Sequence, residues 1–244
     1  AAPGAGFVAV TADACYCAAG AASYDLQACR ADVTALATLS GMIGSWQVDG
    51  FAAAVNNGAT DNASFSLVLV YNEPDLLPPR RLALYDGVEE LYLGARTVTL
   101  GALDVDNPAQ GNLAWYALDG DVGGVGPESV TVTGTPGGTT LAVSDAVNPA
   151  NNPMNRTINT TTPPQTGVIG VDVDRFDISG ALDPTDTAIN MVYTAGGDKY
   201  WVVYNLVGVR VFIPVISAKS TKTWALSVDA DGSGLVQLTD GPWD

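Results

Sequence analysis

Apolar and polar residues alternate with a period of two in short runs along most of the chain, a pattern typical of strands that bury one face. The runs predict about ten strands, at 6–11, 65–71, 81–85, 90–100, 113–118, 129–133, 168–173, 187–193, 200–213 and 222–228. Turn clusters such as Gly196-Gly197-Asp198 separate them, and helical spacing is limited to a turn or two within 25–39. We therefore predict an all-β fold, a jelly-roll-like β-sandwich with a C-terminal strand extension.

The same pattern suggests three parts: an N-terminal strand or arm at 1–14, the sandwich at 15–216 and a C-terminal extension at 217–244. The extension contains one alternating strand, with Trp224, Leu226 and Val228 on its apolar face, and the chain reaches Asp244 before a second strand is expected. A lone strand cannot bury its own apolar face, so it is a candidate donor strand. The polar segment 148–165 is expected to be an ordered loop held by Asx-type hydrogen bonds, or a surface excursion.

Charge and composition narrow the classes of function. Of 26 acidic residues only four are Glu, and the formal net charge of −16 disfavours binding to nucleic acid or to an anionic membrane. Histidine is absent, which removes the usual general base near neutral pH, so we expect no enzymatic activity. A glycosidase based on two carboxylates survives this argument, but nothing beyond the abundance of Asp supports it. The longest apolar run, 201–216, is interrupted and too short for a membrane span.

The N-terminal region points to export. The chain begins Ala-Ala-Pro without an initiator Met, as expected after removal of a signal peptide. Its three cysteines, Cys15, Cys17 and Cys29, lie close together, and a disulfide from Cys29 to either Cys15 or Cys17 is the favoured interpretation. Three thiolates without His make an incomplete zinc site. We expect a secreted protein, extracellular or at the cell surface.

Several segments resemble a module from long secreted bacterial surface proteins that precedes arrays of immunoglobulin-like surface repeats. The resembling segments are 29–34, 66–74, 79–87, 118–121, 148–152, 170–178 and 196–200, and 222–234 looks like the opening strand and turn of the repeat that follows. Together they span roughly residues 15–214. The resemblance implies an extracellular adhesive or structural setting and no catalytic residues.

Two acidic motifs are candidate Ca²⁺ sites. Asp229, Asp231 and Ser233 form an incomplete calcium loop that is equally an ordinary Asp-Gly hairpin turn. Asp172 and Asp174 alternate along a predicted strand and share one face, for which a solvated strand surface is the favoured interpretation. Sequons at Asn62, Asn155 and Asn159 are candidate glycosylation sites in which glycan attachment would be sterically easy, although chance also explains them in an Asn/Thr-rich chain.

These observations favour a structural subunit that polymerises with copies of itself. The C-terminal strand, about 222–238, would insert into a neighbouring copy's sheet, and head-to-tail contacts of this kind yield an extracellular filament. The N-terminal strand at 7–11 is an alternative donor or a second clamp. The competing hypothesis is a monomeric, calcium-dependent adhesion or carbohydrate-binding module that recognises surface glycans.

Overall fold

The computed structural model describes residues 2, 4, 6–19, 25–40, 44–50, 63–70, 79–123, 127–212, 225–228 and 236–239. They fall into two compact units, Ala1–Glu73 and Pro74–Asp244. The sequence placed the start of the sandwich at residue 15, whereas the strands of the sandwich run from Arg80 to Arg210 in the second unit. The described part of the chain contains no helix that is long and apolar enough to cross a membrane.

The first unit contains a small hairpin closed by a disulfide. Strands β1 (Ala14–Ala19) and β2 (Asp25–Arg30) pair antiparallel, with Cys15 opposite Cys29. These two cysteines form the disulfide, with a Cα–Cα distance of 4.1 Å, and Cys17 is exposed and unbridged. The sequence left Cys15 and Cys17 as alternatives; the antiparallel register selects Cys15. A short helix, α1 (Thr34–Ser40), follows, and Asp32 accepts a hydrogen bond from the Thr34 N–H at its start.

The predictions of strands at 6–11 and 65–71 in this unit are wrong for the residues that the structure describes. Residues 6–12 and 63–70 have no regular secondary structure. Both stretches carry apolar alternation, but a strand also needs a neighbouring edge that accepts its backbone hydrogen bonds. Periodicity shows which face a segment would bury and cannot show whether a partner edge exists.

The second unit is all-β. Its main strands are β3 (Arg80–Leu100), β4 (Gly111–Leu118), β5 (Ser129–Thr135), β6 (Thr140–Ala142), β9 (Val171–Asp177) and β10 (Ala188–Arg210). The polar loop contains two short strands, β7 (Thr157–Ile158) and β8 (Gln165–Thr166), and a 3₁₀ turn, Ser179–Ala181, follows β9. β3 joins two predicted strands and β10 joins two others, because the predicted turn at 196–198 is an irregularity within a continuous strand.

Strand β10 is the centre of the sheet. The order is β6-β5-β10-β4-β9, and β3 also pairs with β10. The first part of β10 pairs with β5 and its second part pairs with β4, while β3 runs antiparallel along both parts. The register shifts between Ala195 and Lys199 and between Val202 and Tyr204. Each half of β10 therefore belongs to a different group of strands.

The two groups face each other as the layers of a sandwich. Trp115 on β4 pairs in register with Asn205, which lies twelve positions after Tyr193. In a straight strand those positions would be about 40 Å apart, yet the Trp115 and Tyr193 rings meet edge-on at 6.0 Å between centroids. Tyr85 likewise donates a hydrogen bond to the Thr99 carbonyl from the other half of β3, at 3.2 Å. Both long strands must bend sharply, which brings the layers together.

The core lies between these layers. Trp115 is its largest fully buried side chain and also contacts Phe176 of β9, with ring centroids 4.6 Å apart. Buried apolar side chains from every main strand except the short β6 surround this aromatic cluster, including Leu100, Leu113, Val132, Ile189, Met191 and Val207. The predicted all-β sandwich is confirmed.

The C-terminal segment departs from the sequence prediction. Strand β11 (Ala225–Val228) pairs antiparallel with a second strand, β12 (Val236–Thr239), so the expectation of one unpaired strand is wrong. The Gly-rich stretch between them permits a hairpin. β12 approaches β3, with Cα atoms within 8 Å, but belongs to a separate sheet. Trp224 lies outside the described residues, and the role of this segment as a donor stays a prediction.

Replacement of Trp115 by Ala should lower the free energy of unfolding by about 3–5 kcal/mol, because it removes the aromatic side chain on which both layers pack. Chemical denaturation monitored by circular dichroism measures this change. Ile169→Ala is the matched control: this side chain is 74% exposed, and its truncation should change stability by less than about 0.5 kcal/mol. Equal effects of the two variants would contradict the assignment of the core.

Candidate functional site: buried carboxylates beneath the polar loop

Strand β9 carries two aspartates on its inward face. Asp172, Asp174 and Phe176 alternate toward the interior, and both aspartates have an exposed fraction of 0%. In the register with β4, Asp174 lies opposite Trp115. The sequence correctly placed both carboxylates on one face, but the preferred interpretation of that face as a solvated surface is wrong.

The polar loop supplies hydrogen bonds that replace those the two carboxylates would make with water. Oδ1 of Asp172 accepts the N–H groups of Asn155 and Thr157, at 2.8 and 3.1 Å. Oδ1 of Asp174 accepts the Asn159 N–H at 2.9 Å and the Asn148 side-chain amide at 3.2 Å. Asp145 adds an Asx turn, accepting the N–H groups of Val147 and Asn148. The segment 148–165 is an ordered loop, as one of the two predictions had it, but its N–H groups bond to the carboxylates of β9, and the Asx turn lies at Asp145, just before the segment.

Asn159 also covers the outer edge of β9. Its Oδ1 accepts the Arg175 N–H at 2.7 Å, and its Nδ2 donates to the Arg175 carbonyl at 3.0 Å. The side-chain amide thus takes the place of a neighbouring strand at this position. Thr160 donates to the Val173 carbonyl at 3.3 Å on the same edge.

A second group of acids surrounds Asp172 on the side away from these N–H donors. Glu128, which directly precedes β5, has an exposed fraction of 0%, and neither carboxylate oxygen has a hydrogen-bond partner. Asp172 Oδ2, Asn152 Oδ1 and Asp198 Oδ2 are also buried without partners. One neighbouring cation is Arg156, which pairs with Asp121 and donates to the Gly120 carbonyl at 3.0 Å.

Gly120 lets this group pack closely. A Cβ atom at this position would lie 2.1 Å from Asp172 Oδ2 and 2.6 Å from the Met154 carbonyl oxygen. Both of those atoms are hydrogen-bond acceptors, and they converge on one face of the glycine. A side chain here would push the polar loop off β9.

Burial raises the pKa values of these acids, and their charges act on one another more strongly because water is excluded. Burial, reinforced by the charges of Asp198, Asp172 and Asp121, raises the pKa of Glu128 to about 8. The Met154 N–H opposes this rise but does not reach hydrogen-bond geometry with either oxygen. Burial also raises the pKa of Asp172 to about 7, and that of Asp174 and Asp119 to about 6.

The remaining predicted site residues are not gathered here. Asp229, Asp231, Ser233 and Asn62 lie outside the described residues, and the side chains of Leu226 and Val228 are not described. Asn155 and Asn159 are half-buried, and their Nδ2 atoms donate to the carbonyl oxygens of Val147 and Arg175. Glycan attachment to those nitrogens in the folded protein would break these bonds, so the expectation of easy access does not fit the loop.

Sequence reasoning missed Glu128, Asn152 and Asp198. Glu128 and Asn152 lie outside the regular strands and Asp198 lies at the register shift of β10, so no periodicity indicates burial there, although Glu128 is one of only four Glu in the chain. Among the described residues, no three His, Cys, Asp or Glu side chains are grouped so that they could hold a metal ion by themselves.

The comparisons with known proteins place the chain in no family. No family model matches it, and no curated protein matches it. Among solved structures, part of the chain is similar to the crystal structure of dimeric latent PorU from Porphyromonas gingivalis, with a TM-score of 0.30 and 12% identity over 54% of this chain and 13% of that one. Similarity at this level carries no argument about fold or function.

The two aspartates of β9 should control different amides of the loop. Asp174→Ala removes the acceptor of the Asn159 N–H, so exchange of that amide should accelerate about 10- to 100-fold, while the amides of Asn155 and Thr157 stay protected. Asp172→Ala should give the reverse pattern, and each variant is the control for the other. Hydrogen exchange followed by NMR measures this, and identical patterns in both variants would contradict separate roles.

Stability should fall as pH rises from about 5 to 8 in the presence of a chelator. Glu128, Asp119, Asp172 and Asp174 have folded-state pKa values above their ordinary values of 4.5 and 3.8. The folded state therefore binds more protons than the unfolded state in this window, and the stability present below the unfolded pKa values is lost as pH passes the folded ones. Urea denaturation at each pH measures this.

In the Glu128→Gln variant the side chain cannot ionise, so the fall in the free energy of unfolding between pH 7 and 8 should become smaller. A wild-type free energy of unfolding that is constant or increases from pH 5 to 8 would contradict the raised pKa values.

Proposed function

We propose that this protein is a secreted structural subunit that joins copies of itself into an extracellular filament by β-strand addition. The observation that carries the proposal is the free edge of β3. Among the described residues this 21-residue strand pairs with β10 along one side only. Residues 92–97 are consecutively exposed, including Tyr92 and Leu93. A long open edge offers unpaired backbone groups to another strand.

The two sides of the sandwich differ in a way that favours one direction of assembly. The outer edge of β9 is covered by Asn159 and Thr160, whereas no side-chain amide of the described residues covers β3 in this way. One accepting edge and a donor located elsewhere on the molecule make a heterologous contact. Such contacts propagate as filaments when the rotation between successive copies does not close a ring.

The N-terminal segment 6–12 is the donor that the geometry favours. It has no regular secondary structure, and Phe7, Val8 and Val10 are 62%, 57% and 49% exposed. Its seven residues are enough to span the six consecutively exposed residues of β3, 92–97. It also contains no ionisable side chain, so its docking adds no local repulsion between two copies that each carry a formal charge of −16.

A secreted location is supported by the Cys15–Cys29 disulfide, since such bonds persist mainly in oxidising compartments. The proposal assigns no catalytic role. A monomeric adhesion or carbohydrate-binding module is the alternative, and it requires that the full chain stay monomeric at high concentration.

Aspartate substitutions in the full-length chain test the donor. If residues 6–12 add as a strand, Val8 and Val10 share the face turned to the sandwich, so V8D/V10D should abolish assembly, because it would bury two charges. A9D, on the opposite face, should assemble normally. Sedimentation velocity and negative-stain microscopy measure the outcome. Salt should promote wild-type assembly by screening the repulsion between copies.

The C-terminal hairpin is tested in parallel with L226D/V228D, because β12 lies near the same strand. Loss of assembly in this variant alone would overturn the N-terminal assignment in favour of the C-terminal donor. A wild-type protein that stays monomeric at high concentration and high salt would overturn the filament proposal.

Cysteine cross-linking then locates the contact. In a Cys17→Ser background, V10C protein mixed with A95C protein should form a disulfide-linked heterodimer, since Ala95 lies in the exposed part of β3. Mixing V10C with I169C, at an exposed position off the β3 edge, is the control. Equal yields in the two mixtures would contradict docking on β3.

A further inference from the structure

The acids around Glu128 gather more negative charge than the adjacent cations balance. They come from four segments: Asp119 and Asp121 after β4, Glu128 before β5, Asp172 on β9 and Asp198 within β10. Arg156 is paired with Asp121, and Lys199 is engaged with Glu90 at 3.4 Å. The charges of Asp198, Asp172 and Asp121 all bear on Glu128. The cluster therefore lacks positive charge where it is most deeply buried.

Unpartnered oxygens point independently to a missing ligand. Glu128 and Asp172 are both fully buried, and three of their four carboxylate oxygens have no hydrogen-bond partner. Nearly all buried polar groups in folded proteins are satisfied, and an unpaired buried carboxylate is among the most costly exceptions. Asn152 Oδ1 and Asp198 Oδ2 add two further buried oxygens without a donor.

The unpartnered buried atoms of this cluster are all oxygen acceptors. Asp172 Oδ2 and the Met154 carbonyl oxygen lie against the same face of Gly120. Carboxylate, amide and carbonyl oxygens together are the ligand set of Ca²⁺, which takes six to eight oxygens in flexible geometry. Mg²⁺ prefers a strict octahedron and retains several waters, which suits a buried mixture of neutral and charged oxygens less well.

We propose that this cluster is a Ca²⁺ site in which Glu128 and Asp172 are the charged ligands and Asn152, Asp198 and the Met154 carbonyl complete the oxygen shell. Among the described residues no three acids are grouped closely enough to hold a metal by themselves, so the proposal requires the polar loop and the β10 irregularity to move inward when the ion binds. Ca²⁺ then ties together segments that otherwise repel one another. This inference is independent of the filament proposal.

Calcium titration of the full-length protein tests the site. Extracellular modules bind Ca²⁺ with dissociation constants of about 10⁻⁴–10⁻³ M, so 10 mM CaCl₂ at pH 7.5 should raise Tm by about 3–10 °C relative to EDTA. MgCl₂ at the same concentration should raise it by less than half as much. Isothermal titration calorimetry should give one saturable Ca²⁺ site per chain.

Charge-removing variants locate the ion. Glu128→Gln should lose the calorimetric site and the Ca²⁺-dependent rise in Tm, and Asp198→Asn, at a half-exposed position, is the second variant if Glu128→Gln does not fold. Asp104→Asn, at an exposed acid on another segment, should respond like the wild-type protein.

Two results would overturn the proposal. One is a wild-type Tm that is the same in CaCl₂ and in EDTA, combined with a Glu128→Gln variant that is more stable than wild type at pH 7.5; protons would then neutralise the cluster. The other is weak binding of several ions that both Glu128→Gln and Asp104→Asn leave unchanged, which would indicate condensation on the acidic surface. Neither result bears on filament formation, which is measured by sedimentation.

Discussion

The hydrogen bonds from the polar loop to the buried carboxylates of β9 are the constraint on which this side of the molecule depends. A carboxylate loses strong solvation when it leaves water, and Asp172 and Asp174 recover part of it from the N–H groups of Asn155, Thr157 and Asn159. Those N–H groups in turn would be unsatisfied without the carboxylates. Loop and strand therefore stabilise each other, and the fully buried Met154 also anchors the loop in the apolar core; together these contacts explain how an Asn/Thr/Pro-rich segment stays ordered.

This arrangement also makes the two edges of the sandwich different. A loop anchored over β9 leaves no room for a foreign strand, because Asn159 already occupies the Arg175 N–H and carbonyl. No side-chain amide of the described residues covers β3 in this way, although β12 approaches that strand, and the bend of β3 at the register shifts exposes Tyr92 and Leu93. Under the filament proposal, the covered edge of β9 and the short length of β6, the other terminal strand of the sheet, direct strand addition to the long edge of β3.

Local pattern predicted the all-β class and the shared face of Asp172 and Asp174, because strand geometry alone dictates both. It could not tell which face of β9 is buried, since a period of two is identical for inward and outward aspartates and the deciding factor is a loop some fifteen residues away in sequence. The same limit explains residues 6–12, whose alternation is strand-like but which pair with no strand among the residues that the structure describes. Glu128 could not be predicted for another reason: its burial, like that of the Asp198 Oδ2 atom, follows from the pairing of β10 with β4 and β5, a long-range event that no window of sequence records.

Negative charge enters both proposals, but it acts over different distances in the two cases. Repulsion between whole subunits is a long-range effect that any electrolyte screens, so monovalent salt at sufficient ionic strength should replace a divalent cation in promoting strand addition. Repulsion within the Glu128 cluster acts over a few ångströms in a space closed to water, where ionic strength has little influence and only a directly bound cation or proton can neutralise it. A calcium effect that persists at matched ionic strength therefore belongs to the buried cluster, whereas one that NaCl reproduces belongs to the surface.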